Sequence, residues 1–163
     1  MTLTPAQIKW LKKMDITEYS VDAEGFVNVD GNVDIMNENL TSIPVKFGYV
    51  GGNFECQHNN LSSLQGAPKE VGGYFYCSFN NLTSLQGAPR EVGGNFYCSF
   101  NNLTSLQGGP KEVGGNFYCW NNKLPSLQGA PREVGRDFVC MYNDFTSEPD
   151  HSFINIDGDF VWK

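Results

Sequence analysis

Basic side chains are scarce in this chain, and so are histidines, long apolar runs and closely paired cysteines. Eleven Lys and Arg stand against eighteen Asp and Glu, a formal net charge of −7. Residues 50–133 are neutral, and the acidic excess lies in the two ends. A surface that tracks phosphates needs a basic stripe, so nucleic-acid binding is not expected. No apolar run approaches the roughly 20 residues that span a bilayer, so no membrane role is expected. Met1-Thr2-Leu3-Thr4-Pro5 lacks the basic and apolar parts of a secretory leader. The two histidines, His58 and His151, are isolated, and the five cysteines form no Cys-x-x-Cys. Neither a metal site nor a cofactor is therefore expected. Asp30-Gly31-Asn32 and Asp157-Gly158-Asp159 lack the spaced ligands of a calcium loop and read as turns. No Ser-His-Asp or Cys-His set falls in register, so the chain is not expected to be an enzyme. Reduced thiols and the absence of a leader point to the cytoplasm.

What the chain has in abundance is repetition. Gln65-Gly66-Ala67-Pro68-Lys69-Glu70-Val71-Gly72-Gly73 returns as residues 86–94, 107–115 and, less perfectly, 128–136. Cysteine returns at 56, 77, 98, 119 and 140, always 21 apart. A fixed period of this length marks a solenoid, each unit being one coil stacked on the last. The eighteen glycines recur at fixed positions, which makes them architectural. One domain over 1–163 is expected: an N-terminal cap over 1–28, a degenerate first coil over 29–49, 21-residue repeats over 50–145 and a C-terminal cap over 146–163.

Thr4-Pro5-Ala6-Gln7 reads as a helix start, with Thr4 as cap and Gln7 completing a capping box. Ile8, Leu11 and Met14 share one helical face, which is expected to cover the open end of the solenoid. At the other end, Phe153-Ile154-Asn155-Ile156 and Phe160-Val161-Trp162, joined by Asp157-Gly158, read as a closing hairpin.

Within each unit the segment Phe-x-Cys-x-x-Asn-x-Leu stands out, as in Phe75 to Leu82 and Phe96 to Leu103. Phe and Cys lie two apart and so point to one side of a short strand, the core. Interior columns of Phe, Cys and Leu follow. The column Asn59, Asn80, Asn101, Asn122 and Asn143 is expected to form a structural ladder, satisfying backbone groups that turn inward where the chain leaves the strand.

This segment resembles the Leu-x-Leu-x-x-Asn-x-Leu strand consensus of leucine-rich repeat proteins, with aromatic and Cys in place of the first two leucines. The following Leu-Thr-Ser-Leu-Gln-Gly-Ala-Pro resembles the short repeats of bacterial effectors and of proteins in bacteria and tailed phages. The stretch from Trp10 to Pro44 looks like the cap of the phage-type proteins. The resemblance implies a β-rich solenoid with a parallel strand in each coil, an irregular convex side, an N-terminal helical cap and a C-terminal β cap. Val71-Gly72-Gly73 has no counterpart in the effector consensus, and its path stays open.

Residues flanking the inward Phe and Cys are expected on the outer strand face. Tyr76, Tyr97 and Tyr118 align there as an aromatic ladder, flanked by Phe79, Phe100, Trp120 and Tyr142, with Tyr74 beside it. One reading is cross-strand stabilisation alone. The other is a partner-binding face formed by Tyr74, Tyr76, Tyr97, Tyr118, Trp120, Phe100 and Tyr142, since Tyr and Trp are enriched at binding hot spots. Phe79 and Phe100, lacking a polar tip, are also candidates for tucking under the strand-to-loop turn. The Lys69-Glu70, Arg90-Glu91, Lys111-Glu112 and Arg132-Glu133 columns are expected to form diagonal, solubilising ion pairs. The expected function is protein binding through the aromatic face. The phage resemblance implies a host defence or regulatory protein as the partner, bound and inhibited. A nucleotide- or small-ligand-sequestering protein and a structural assembly module are the alternatives.

Overall fold

The computed structural model describes residues 2–163. A single helix, α1 (Pro5–Lys13), opens the chain. Thr4 accepts the Gln7 N–H while the Gln7 side chain accepts the Thr4 N–H, closing the expected capping box. Leu11 is fully buried, with Trp10 and Met14 packed at its margin, but Ile8 is 48% exposed. The face that meets the coil stack is therefore centred on Leu11 and rotated away from Ile8, correcting the expected apolar stripe.

Strands of two to four residues follow. β1 (Ser20–Val21) pairs antiparallel with β2 (Val27–Val29). β3 (Val33–Asp34), β4 (Phe47–Val50) and β5 (Phe54–Glu55) begin the solenoid. Each later coil supplies one strand at Glu-Val and one at Phe-Tyr: β6 (Glu70–Val71) and β7 (Phe75–Tyr76), β8 (Glu91–Val92) and β9 (Phe96–Tyr97), β10 (Glu112–Val113) and β11 (Phe117–Tyr118). β12 (Glu133–Val134) and β13 (Phe138–Val139) repeat the pattern, and β14 (Asn155–Ile156) and β15 (Phe160–Val161) end it. The even-numbered strands form one sheet, running from the antiparallel β1 through β2 to β14, and the odd strands from β3 to β15 form the other. Coil-to-coil pairing is parallel and keeps the 21-residue register, as in Phe75↔Phe96 and Val71↔Val92. The fold is thus a parallel-strand β-solenoid. Val29 pairs with Val50 and Val33 with Phe54, each one 21-residue step apart.

The Val-Gly-Gly path is a corner between the two strands of a coil. Gly93 N–H donates to Val71 O and Gly94 N–H to Gly73 O, so adjacent corners nest. A Cβ on Gly93 would lie 2.3 Å from the Gly72 carbonyl oxygen, which is why the position admits no side chain. Gly87 closes the other bend with φ +91°, a left-handed conformation that glycine adopts without steric cost.

β14 and β15 do not pair with each other. β14 joins β12 and β15 joins β13, both in parallel, with a 22-residue step from Phe138 to Phe160. The expected closing hairpin is therefore replaced by a continuation of both sheets. Ile156-Asp157-Gly158 takes the place of Val-Gly-Gly, with Asp157 N–H donating to Val134 O and Gly158 N–H to Arg136 O. Asp-Gly turns the chain through a corner here because the strands before and after it each find a better partner in the preceding coil.

The core is columnar. Phe54, Phe75, Phe96, Phe117 and Phe138 are fully buried and stack with centroids 4.9–5.5 Å apart. The five cysteines, Leu61, Leu82, Leu103 and Leu124, and Leu64, Leu85, Leu106 and Leu127 complete it.

Asn80 shows how the asparagine ladder works. Its Nδ2 donates to Cys56 O of the preceding coil at 3.0 Å and to Cys77 O of its own at 3.2 Å, while Oδ1 accepts Leu61 N–H at 2.9 Å. Asn59, Asn101, Asn122 and Asn143 repeat the arrangement. Asn101→Ala would strand the Leu82 N–H in the interior and take from Cys77 O one of its two side-chain donors, a loss of about 1–3 kcal/mol for orphaned buried groups. Urea unfolding is expected to show that loss for Asn101→Ala and almost none for the neighbouring, half-exposed Asn102→Ala. Equal effects would contradict the ladder.

Candidate functional site

On the odd-numbered sheet the residue after each core Phe points outward, and the pairing brings Asp34, Glu55, Tyr76, Tyr97, Tyr118, Val139 and Val161 into one file. Tyr76 and Tyr97 stack at 4.2 Å with planes 4° apart, and Tyr97 and Tyr118 at 4.9 Å and 13°. A second file stands beside it, three residues along each coil. His58, Phe79, Phe100, Asn121 and Tyr142 there all adopt φ of 53–55°. His58 stacks on Phe79 at 4.4 Å and Phe79 on Phe100 at 4.3 Å. Phe79 is 43% exposed and Phe100 half-buried, so neither tucks under the turn. The left-handed conformation directs this side chain outward and lets the following Asn turn in.

Between the two aromatic files lies a groove of about 500 Å³. Ser78 and Ser99 form its floor, Gln57 marks one end and Trp120 the other. Trp120 occupies the column position of the serines and stands at 69° to Phe100, out of the stack. The structure thus brings together Tyr76, Tyr97, Tyr118, Phe100 and Trp120 of the expected binding face. Tyr74 stands beside Tyr76 in an edge contact at 6.1 Å, away from the groove lining. Tyr142 is 72% exposed and 6.5 Å from Trp120, also outside it.

Sequence reasoning missed the floor. Ser99 is 4% exposed, and its Oγ has no hydrogen-bond partner among the described residues. The Gln57 Oε1 is buried and unpartnered in the same way, because Gln57 uses its Nε2 on Glu55 at 3.3 Å. The signal was present: a small residue at the outward position after Cys, between two aromatic columns, leaves a trough.

Tyr74 belongs to a file with a different task. Asn53, Asn95, Asn116 and Asp137 sit just after each corner, and each side-chain oxygen accepts the N–H of its equivalent in the next coil. This second ladder was also missed; its mark was an Asn or Asp directly before the core Phe at 21-residue spacing.

Burial pushes the Tyr76 hydroxyl pKa up, helped by the Tyr97 hydroxyl and the charges around it, Glu55 among them. Burial, then Tyr97 and Asp137, raises that of Tyr118. Tyr76 and Tyr118 are therefore neutral hydrogen-bonding groups at the groove rim. Glu55 stands next to Tyr76 in the file, Asp137 stands near Tyr118 outside the groove lining, and no Lys or Arg lines the groove.

On the even-numbered sheet, Glu70, Glu91, Glu112 and Glu133 stand in register along a second trough of about 420 Å³. None of the diagonal ion pairs expected between coils forms among the described residues; Arg90 meets Glu91 of its own coil at 4.0 Å. Lys69 instead reaches Glu24 at 3.8 Å and covers the Phe26 ring. No group of three or more His, Cys, Asp or Glu among the described residues is placed to hold a metal ion. No helix among them is long and apolar enough to cross a membrane. Comparison with protein-family models, with curated proteins and with solved structures found no match.

The five cysteines are free and buried. Burial raises every thiol pKa, that of Cys140 to about 12. In the unfolded chain a thiol ionises near pH 8.5. Their contribution to stability is thus complete below that pH and falls as pH rises toward the folded values, by about 1.4 kcal/mol per pH unit for each thiol. Urea midpoints are expected to drop between pH 8 and pH 10, and less steeply in Cys98→Ala. A flat profile would contradict buried, protonated thiols.

Proposed function

We propose that this chain is a protein-binding module whose partner docks in the aromatic groove on the odd-numbered sheet. The observation that carries this reading is the orientation of the rings. Within each file the faces are occupied by neighbouring rings 4.2–4.9 Å away, so the groove is walled by ring edges. Ring edges are the positive part of the aromatic quadrupole and take the face of another aromatic, at about 0.5–1.5 kcal/mol per pair beyond the area buried. Apolar side chains of a partner suit such walls, and the small serines of the floor leave room for them.

The strained turn supports the same reading. A left-handed residue other than glycine costs roughly 1–2 kcal/mol, and Asn is the type that bears it best. Asn121 shows that Asn serves in this position, yet His58, Phe79, Phe100 and Tyr142 occupy the others. An aromatic side chain held outward at a sterically costly site suits a recognition surface better than a structural one. By resemblance to the short phage-type repeats, the partner is a host protein whose action is blocked.

Nucleotide sequestration is disfavoured by the same geometry. Inserting a base between two rings needs them about 7 Å apart, twice the 3.4 Å stacking step, and no basic side chain lines the groove for a phosphate. An affinity capture from host-cell lysate with the intact chain and with Tyr97→Ser/Trp120→Ala tests the proposal. One stoichiometric protein is expected with the first and none with the second, both variants keeping their melting temperature within a few degrees. Capture that is indifferent to the two substitutions would remove the groove as the site.

A further inference from the structure

The outward file is uniform in the middle and polar in its direction. Before the tyrosines stand two carboxylates in register, Asp34 and Glu55; after them stand Val139 and Val161. Neither Asp34 nor Glu55 forms an ion pair among the described residues. Glu55 faces the tyrosine file closely enough to help raise the Tyr76 pKa. Gln57, whose Oε1 is unpartnered, sits at this acidic end, and Trp120 closes the opposite, apolar end.

We infer that the element seated in the groove is an extended peptide segment of the partner, basic at one end and aromatic at the other. It lies along the solenoid axis, with a Lys or Arg against Asp34 and Glu55. Its aromatic side chain rests over Ser78 and Ser99 against Trp120. This inference rests on the protein-binding reading above and adds the chemistry and direction of the bound segment.

Three features fix that chemistry. The acidic end is charge-complementary to a cation and has no cation of its own. The groove walls are ring edges, which accept the face of one inserted ring. The small Ser99 side chain, buried under that ring position, leaves room for the inserted residue. Glu55 and Ser99 are two coil steps apart, about 10 Å at the 4.8 Å spacing of paired strands, which is the reach of three extended residues. The basic and aromatic residues are therefore two to four positions apart. Reversed segments place their cation beside Val139 and lose the pairing.

The test pans a displayed library of random eight-residue peptides against the intact chain. Enriched peptides are synthesised and titrated by calorimetry against the intact chain, Glu55→Lys and Tyr97→Ser, each variant first checked by circular dichroism and thermal melting. Enriched peptides are expected to share one Lys or Arg and one aromatic residue two to four positions apart. Glu55→Lys is expected to weaken them at least tenfold, with recovery when the peptide's basic residue is changed to Glu, and Tyr97→Ser to abolish binding. Peptides lost with Tyr97→Ser but bound equally well by Glu55→Lys would overturn the axial polarity while leaving the groove as a binding site. No enrichment, or peptides indifferent to both substitutions, would overturn both.

Discussion

Each coil is tied to its neighbours by backbone hydrogen bonds that run in opposite directions on the two sheets. On the odd-numbered sheet the N–H groups donate to the following coil, as Phe75 N does to Asn95 O; at the corner of the other they donate to the preceding one, as Gly93 N does to Val71 O. A coil therefore cannot shift by one residue without losing bonds on both sides and turning its Phe and Cys outward. The asparagine ladders obey the same register, since each side chain bonds groups fixed by the coil before or after it. Short strands of two residues, marginal alone, are held because every one is a member of two such networks.

Fixed register places like upon like. In the interior this gives stacked Phe, Cys and Leu columns. On the even-numbered sheet it gives a row of glutamates with little ion pairing, destabilising at each step as like charges are. On the odd-numbered sheet it gives rings whose faces are occupied by one another, so that the available surface is edges, with a floor where the sequence has serine. The site is thus a consequence of stacking. Its direction comes from the residues that stacking leaves free to vary, from Asp34 and Glu55 at one end to Val139 at the other.

Much of this was legible because a 21-residue period carries its own register: subtracting 21 aligned Val33 with Phe54, and the two pair. The Phe-x-Cys spacing placed the core, and the Asn column announced buried backbone groups. Three things were less visible. The alternation Phe-Tyr-Cys gave the faces of a strand, but the left-handed turn after Ser breaks that alternation, so Phe79 and Phe100 stayed open between the outer face and a tuck under the turn. Glu-Val is too short to read as a strand without its stacked copies. At the C-terminal end a 22-residue step hid the coil equivalence of Phe138 and Phe160 behind a plausible Asp-Gly hairpin. The serine floor and the turn of Trp120 out of the stack depend on side-chain volumes in neighbouring coils, which a single unit does not display.

The central claim is that inter-coil register, more than any single coil's sequence, holds the molecule together. It is tested most directly by deletion. Removing Gly87 to Gln107, one full 21-residue unit, joins Gln86 to Gly108 and keeps every column aligned. This shortened chain is expected to fold cooperatively, with a lowered melting temperature because one nearest-neighbour interface is lost. Removing only Gly87 to Tyr97, eleven residues, joins Gln86 to Cys98, takes both strands from one coil and is expected to leave the chain unfolded or without a cooperative transition. A 21-residue deletion that fails to fold, or an 11-residue deletion that melts as cooperatively as the intact chain, would contradict the account.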